Sequence, residues 1–158
     1  MRINKGKVKG PKQPKNGFTL IELLVVIGII GILASVILVA VNPSKQFAQA
    51  RNSQRQAAVA TILDAVDQNM VDHNGIFSCT VSLPSTALMI ESNPSAADIW
   101  NCLVPDYLPA LPIDPSNGSY TSNTMYKTDY SIYQDSSTSR ITVAAMEPEL
   151  GQVISVTR

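Results

Sequence analysis

An unbroken apolar run at residues 18–41 limits what this chain can fold into more than any other feature of its sequence. The run, FTLIELLVVIGIIGILASVILVAV, has 24 residues, and its one charged side chain is Glu22. At about 1.5 Å per residue, a helix of this length can span a bilayer core of about 30 Å. The run therefore predicts a transmembrane helix.

The basic residues are concentrated ahead of the apolar run. Residues 1–17 hold six of the twelve Lys and Arg side chains and no acidic one. Under the positive-inside rule this flank stays in the cytoplasm, and everything after residue 41 is exported. Removal of the flank would leave six basic against twelve acidic residues, a net charge of about −6. Because phosphate contacts need clustered Lys and Arg, we expect no nucleic-acid partner.

An amphipathic helix is predicted for residues 42–75. Asn42 and Pro43 interrupt the apolar run and favour either a kink or a new helix start, since Asn is a good N-cap and Pro a good first helical residue. Beyond them, apolar side chains recur at helical spacing with polar residues opposite. Asn74 and Gly75 supply a left-handed stop. We expect the apolar stripe of this helix to pack on another layer.

Residues 76–158 are rich in Ser, Thr, Asn, Pro and Tyr and predict a small head domain of turns and short strands. Apolar and polar residues alternate in two segments, and a third segment is rich in β-branched residues. We expect antiparallel strands within residues 126–132, 141–145 and 152–157, and turns at 135–139 and 148–151. Such a sheet can cover the apolar stripe of the second helix, so the predicted fold class is α+β.

Cys79 and Cys102 fit an exported domain. Outside the cytoplasm two neighbouring thiols tend to oxidise, and one bridge across a loop of this length stabilises a domain by about 3 kcal/mol. Two buried free thiols are the alternative. A metal site needs more ligands than these cysteines and the single His73 provide, so we expect neither a metal nor a cofactor.

The junction between the leader and the apolar run carries the functional signal. A glycine, then Phe, Thr, Leu, Ile and Glu, then an apolar helix, here NGFTLIELLVVIGIIGIL, closely resembles the N-terminus of type IV prepilins. The resemblance implies that a membrane prepilin peptidase removes residues 1–17 by cutting after Gly17 and then methylates Phe18. It also maps the family's glutamate onto Glu22.

The same resemblance implies an architecture and partners. It predicts a lollipop whose long N-terminal helix is first a membrane anchor and later a filament core, with its second half packed on a small antiparallel sheet. The protein would be stored in the cytoplasmic membrane with its N-terminus inside. An assembly ATPase and a platform protein would then polymerise it into a helical homo-oligomeric filament at the cell surface.

Glu22 also has a role on physical grounds. A carboxylate near the centre of a membrane helix costs about 2.5–3.5 kcal/mol on insertion scales, so it needs a partner. Cleavage after Gly17 would create an α-ammonium at Phe18, one helical turn away, and in a packed array this group can meet Glu22 of a neighbour. Such pairing would set the axial register of assembly. Alternatively, Glu22 lies at the membrane surface and stays hydrated.

Gly28, Gly31 and Ser35 share one face of the predicted membrane helix. Small residues let helices approach closely, which suits a filament core, although ordinary membrane dimerisation uses the same feature. Family filaments often unwind this helix between a glycine and a proline. Gly31 fits that pattern, whereas Pro43 lies about a turn beyond the usual proline.

Three other classes of protein fit less well. For a secretory signal peptide, Ala48, Gln49 and Ala50 resemble an A-x-A cleavage site, but the apolar region of such a peptide has about 7–15 residues and is shorter than this run. A membrane-anchored binding module explains the anchor but neither the Gly17 junction nor Glu22. An enzyme lacks support, because the sequence shows no Ser/His/Asp set in a known context and no glycine-rich phosphate loop. We therefore expect no catalytic residue.

Within the prepilin family, one loop points to a second subclass. Residues 114–118, DPSNG, resemble the "DP..G" loop of pseudopilins of type II secretion, where a nearby loop binds calcium. The tryptophan that usually follows the proline is absent, and Ser116 stands in its place. Asp, Pro and Gly also make a common turn. The sequence thus favours a pilin, with a pseudopilin as the alternative.

Overall fold

The computed structural model describes residues 17–158, except the side chains of residues 38–41. The chain divides into two units, Met1–Asn42 and Pro43–Arg158. Apart from Gly17, the predicted leader lies outside the described residues.

The described part of the first unit is dominated by one helix, α1 (Leu20–Val41). Thr19 caps its N-terminus, and Asn42 follows its C-terminus in the left-handed conformation, with φ of 43°. A segment of α1, Leu20–Ile37, is long and apolar enough to cross a membrane, and none of it is buried within the protein. The predicted interruption is therefore the end of α1, since a new helix begins at Pro43.

The second unit, called the head domain from here on, begins with helix α2 (Pro43–Asp72), which has 30 residues. Asn74 and Gly75 follow it with φ values of 58° and 86°. The Gly75 N–H donates to the Met70 carbonyl at 2.7 Å, which satisfies one of the last carbonyls of the helix. The predicted left-handed stop is confirmed.

A five-stranded antiparallel sheet forms the rest of the head domain. The elements after α2 are β1 (Leu88–Glu91), a short helix α3 (Trp100–Leu103), β2 (Ser119–Ser122), β3 (Met125–Gln134), β4 (Ile141–Ala145) and β5 (Ser155–Thr157). The longest strand, β3, pairs with β1, β2 and β4, and β4 pairs with β5. The three predicted strands correspond to β3, β4 and β5, whereas β1 and β2 were not predicted.

The core lies between α2 and the sheet. One face of α2 buries apolar side chains against β4, β5 and α3. Val59, Ile62, Leu63 and Val66 on this face have no exposed surface. The amphipathic pattern of α2 is thus explained by packing on the sheet, and the α+β fold class is confirmed.

Candidate functional site: the N-terminal junction and the ion pairs of the head domain

Gly17 and Phe18 lie immediately ahead of α1. Phe18 is 88% exposed. A Cβ atom added to Gly17 would meet no heavy atom of the described residues within 4 Å, and its φ is outside the left-handed region. Neither packing nor backbone conformation in the described chain therefore requires glycine at this position.

Glu22 has hydrogen-bond partners within its own helix. The Thr19 N–H and the Thr19 hydroxyl both donate to Glu22 Oε2, at 2.8 and 2.7 Å. In return the Glu22 N–H donates to Thr19 Oγ1 at 3.3 Å. This capping box satisfies N–H groups that a helix start leaves unpaired. This capping box was not predicted, although Thr-x-x-Glu before an apolar run is its sequence signal.

The apolar side chains of α1 from Leu20 to Ile37 are exposed. Every large apolar side chain from Leu20 to Ile37 is at least 52% exposed. A Cβ atom at Gly28 or Gly31 would meet nothing within 4 Å, and the Ser35 hydroxyl donates to the Ile32 carbonyl at 2.7 Å. A helix that is apolar all round belongs in a bilayer or between other helices. The small-residue face is available for such a neighbour.

In the head domain, a buried arginine joins α2 to two distant loops. Arg55 is 1% exposed. Its Nε and Nη2 donate to the two carboxylate oxygens of Asp114 at 2.6 and 3.2 Å. Its Nη1 donates to Asn52 Oδ1 at 3.0 Å and to Glu149 Oε2 at 2.9 Å. The guanidinium is therefore paired on both sides, as a buried charge must be.

Asp114 organises the loop at residues 114–118. Its Oδ1 also accepts the backbone N–H groups of Ser116 and Asn117, at 2.8 and 3.0 Å. Burial by itself raises the pKa of Asp114, but the hydrogen bonds from Arg55 and from these two N–H groups outweigh it and hold the pKa below its ordinary value. The aspartate that resembled part of a pseudopilin loop is thus an anchor for this loop and for Arg55.

Gly118 closes the same loop tightly. A Cβ atom at this position would lie 2.4 Å from Ile113 Cγ2 and 2.7 Å from the Asp114 nitrogen. Only glycine fits here without movement of the backbone.

Within residues 17–158, no group of three or more His, Cys, Asp or Glu side chains is placed to hold a metal ion.

Glu149 connects the turn after β4 to α2. Arg51 donates to it through Nε and Nη2, at 2.7 and 2.6 Å. The hydrogen bonds from Arg51 and then Arg55 lower the pKa of Glu149 to about 2. The side chain of Asn52 donates to the Glu149 carbonyl and accepts from the Glu149 N–H. The turn was predicted from the sequence, whereas these contacts were not.

A disulfide joins Cys79 to Cys102, with their Cα atoms 5.2 Å apart. Next to it lies Asn69 of α2, which is 2% exposed. Its side-chain amide donates to the carbonyls of Ser78 and Cys102 and accepts the Ser78 N–H at 2.8 Å. Asn69 therefore fixes both sides of the disulfide to α2.

The N-terminal junction, and a longer part of the chain, are similar in sequence to known proteins. The prokaryotic N-terminal methylation motif matches residues 12–38. The type II secretion system core protein G of Pseudomonas aeruginosa is 30% identical over 109 residues, which cover 69% of this chain and 73% of that protein. No solved structure matches the chain. The motif, this relative and the fold together show that the chain belongs to the type IV pilin-like family, as a pilin or pseudopilin subunit.

Proposed function

We propose that this chain is the structural subunit of a type IV pilus-like filament, made as a precursor, cut after Gly17 and polymerised through α1. The observation that carries the proposal is α1 itself. It is a capped helix whose large apolar side chains are all exposed from Leu20 to Ile37, and it follows a glycine that the described fold does not need. The bilayer and then neighbouring helices would supply its apolar surroundings in turn.

Cleavage would place a new charge beside the capping box. Hydrolysis of the bond between Gly17 and Phe18 leaves an α-ammonium one residue ahead of Thr19, and N-methylation keeps that charge. Within the described chain, hydrogen bonds reach Glu22 through Oε2 and none reaches Oε1. Glu22 can therefore stay capped while Oε1 accepts the Phe18 ammonium of a neighbouring subunit. This contact would set the axial register of the filament.

The membrane arrangement and the assembly partners follow from the same proposal. The six basic residues of the leader would keep the N-terminus in the cytoplasm, with the head domain outside. Prepilin peptidase would process the chain, and an assembly platform with its ATPase would extract and stack the subunits. The role is structural rather than enzymatic. The disulfide and the pairing of Arg55 would keep the exported head folded.

A second candidate is a pseudopilin of a type II secretion-like system. It is favoured by the relative, which is a core protein of type II secretion, and by the loop at residues 114–118. Deletion of the gene separates the two functions. Loss of sheared surface fibres with normal protein secretion supports a pilus, whereas loss of secretion without a change in surface fibres supports a pseudopilin.

The processing step is tested by the substitution Gly17→Leu. We expect the variant to keep residues 1–17 by intact mass, to remain in the membrane and to form no filament, with the head domain still folded. Gly28→Ala is the matched control, because it also changes an unpacked glycine and should leave cleavage unchanged. A Gly17→Leu protein that begins at Phe18 contradicts the proposed cleavage. So does a wild-type protein from cells that retains the leader or begins after Ala50.

A further inference from the structure

A polar cleft of about 290 Å³ lies on the head domain, away from the ion pairs of Arg55. Drug-sized ligands occupy pockets of about 300–1,000 Å³, so this cleft suits a ligand with a single ring. Its polar walls come from the turn after β1, the residues around α3 and the turn between β2 and β3. The polar side chains that line it are Ser92, Asn93, Asp98, Asn101, Asn123 and Thr124.

Several polar groups of the cleft are exposed and have no hydrogen-bond partner within the described chain. Within residues 17–158, the side-chain amides of Asn101 and Asn123 make no hydrogen bond, and Asn93 uses only its oxygen. Asp98 accepts the Tyr126 hydroxyl at 2.7 Å through Oδ1, whereas its Oδ2 has no partner in this part of the chain. Donors and acceptors are therefore both available to a ligand.

A second groove of the head domain shows the contrast. Four of its eight lining residues are acidic, and Arg158 already pairs with two of them, Asp64 and Asp67. Part of the negative charge of this groove is thus paired within the chain. The side-chain amides of Asn101 and Asn123 in the polar cleft have no such partner within residues 17–158.

The walls of the polar cleft are held in place before any ligand arrives. Ser92 and Tyr126 exchange hydrogen bonds, with the Ser92 N–H donating to the Tyr126 carbonyl and the Tyr126 N–H donating to Ser92 Oγ. The disulfide joins two other walls, because Val81 follows Cys79 by two residues and Asn101 directly precedes Cys102. The backbone that carries the lining side chains is therefore fixed before a ligand binds, which lowers the entropy cost of binding.

Apolar and aromatic surface accompanies these polar groups. Val81, Pro94 and Ala96 also line the cleft. Trp100, next to Asn101, stacks on Tyr120 with ring centroids 4.9 Å apart and planes 14° apart. Tyr120 remains 53% exposed, so an aromatic surface adjoins the elements that form the cleft.

From these features we infer that the cleft binds one neutral hexose unit of a glycan. Hydroxyl groups both donate and accept hydrogen bonds, so they match amides together with a carboxylate oxygen. The C–H groups of a sugar ring match the apolar lining. An anionic ligand would face Asp98 without a cation among the lining residues. This inference does not depend on filament assembly.

The test uses the full chain in detergent and saturation-transfer NMR. The probes are the methyl glycosides of glucose, galactose, mannose and N-acetylglucosamine, with methyl glucuronide as an anionic comparison. We expect saturable binding of at least one neutral glycoside. Asn101→Ala and Asn123→Ala should each weaken it about three- to tenfold through the loss of one hydrogen bond. Gln54→Ala, which removes an exposed amide from α2, is the matched control and should leave binding unchanged.

Two further observations complete this test. An unchanged unfolding temperature shows that an asparagine variant is folded, and Asn123→Ala in a surface turn provides a second variant if Asn101→Ala destabilises the protein. The inference is overturned if no neutral glycoside binds, if the glucuronide binds more tightly than every neutral probe, or if folded variants at both positions bind as well as the wild type.

Discussion

Helix α1 and the head domain differ in the exposure of their apolar side chains and in the pairing of their polar ones. In α1, large apolar side chains are exposed from Leu20 to Ile37. The polar groups Thr19, Glu22 and Ser35 have hydrogen-bond partners within one helical turn. In the head domain the apolar side chains are buried together, and polar groups pair across long stretches of sequence, as Arg55 does with Asp114.

This difference shows where each part of the chain gains its stability. The head domain is stabilised by its own contacts, so a substitution there should change its free energy of unfolding. The apolar surface of α1 is exposed and can contact other molecules. A substitution there should therefore change membrane insertion or filament assembly while the head domain stays folded. Each of the following changes tests one side of this comparison.

The largest effect on stability is expected from Arg55→Leu. Removing the guanidinium leaves the Asp114 carboxylate buried without its ion-pair partner, which typically costs about 3–5 kcal/mol. Arg51→Leu is the matched control, because its side chain is 35% exposed and its pair with Glu149 should contribute less than about 1 kcal/mol. Chemical denaturation of the full chain in detergent, followed by Trp100 fluorescence, measures both. Equal losses for the two variants would contradict a dominant role for the buried pair.

A pair of glycine substitutions compares the two regions directly. Gly118→Ala forces a Cβ against Ile113 and the Asp114 backbone, and the resulting overpacking should destabilise the head by about 1–3 kcal/mol. Gly31→Ala meets nothing within 4 Å, so the head should unfold as in the wild type, while closer helix packing in a filament is impaired. Denaturation and the yield of sheared filaments are measured for both variants. The comparison fails if Gly31→Ala destabilises the head or if Gly118→Ala does not.

A smaller effect is expected from acid. The folded pKa values of Asp114 and Glu149 lie below their ordinary values, so their stabilising contributions are complete above those ordinary values and decrease as the pH falls toward the folded pKa. For Glu149 this window runs from about 4.5 down to about 2. The unfolding temperature should therefore be flat near neutral pH and fall below about 4.5. Glu149→Gln should show a shallower fall, and an identical acid profile would contradict the contribution of this carboxylate.

The elements that were predicted correctly are those whose sequence pattern lies within one continuous segment. The apolar run, the left-handed stop at Asn74 and Gly75, and the strands β3, β4 and β5 all have such patterns. The four-residue strands β1 and β2 are too short for a clear alternation, and their pairing depends on β3. Arg55 and Asp114 lie 59 residues apart, so their pairing depends on how α2 packs in the head. The Thr19 capping box, in contrast, could have been predicted from its spacing.

The central claim is that Glu22 serves a neighbouring subunit as well as its own helix. Glu22→Gln separates these roles, because glutamine can keep the capping box but carries no charge. Thr19→Val is the complementary variant, since it removes the capping hydroxyl and keeps the carboxylate. The direct measurement is the yield of sheared surface filaments for both variants, with intact mass confirming cleavage after Gly17.

We predict that Glu22→Gln is cleaved and remains in the membrane fraction at wild-type levels but loses more than about tenfold in filament yield, because the Phe18 ammonium of each added subunit stays unpaired in an apolar core. Thr19→Val should retain more filaments than Glu22→Gln. Normal filaments from cleaved Glu22→Gln protein would contradict the account.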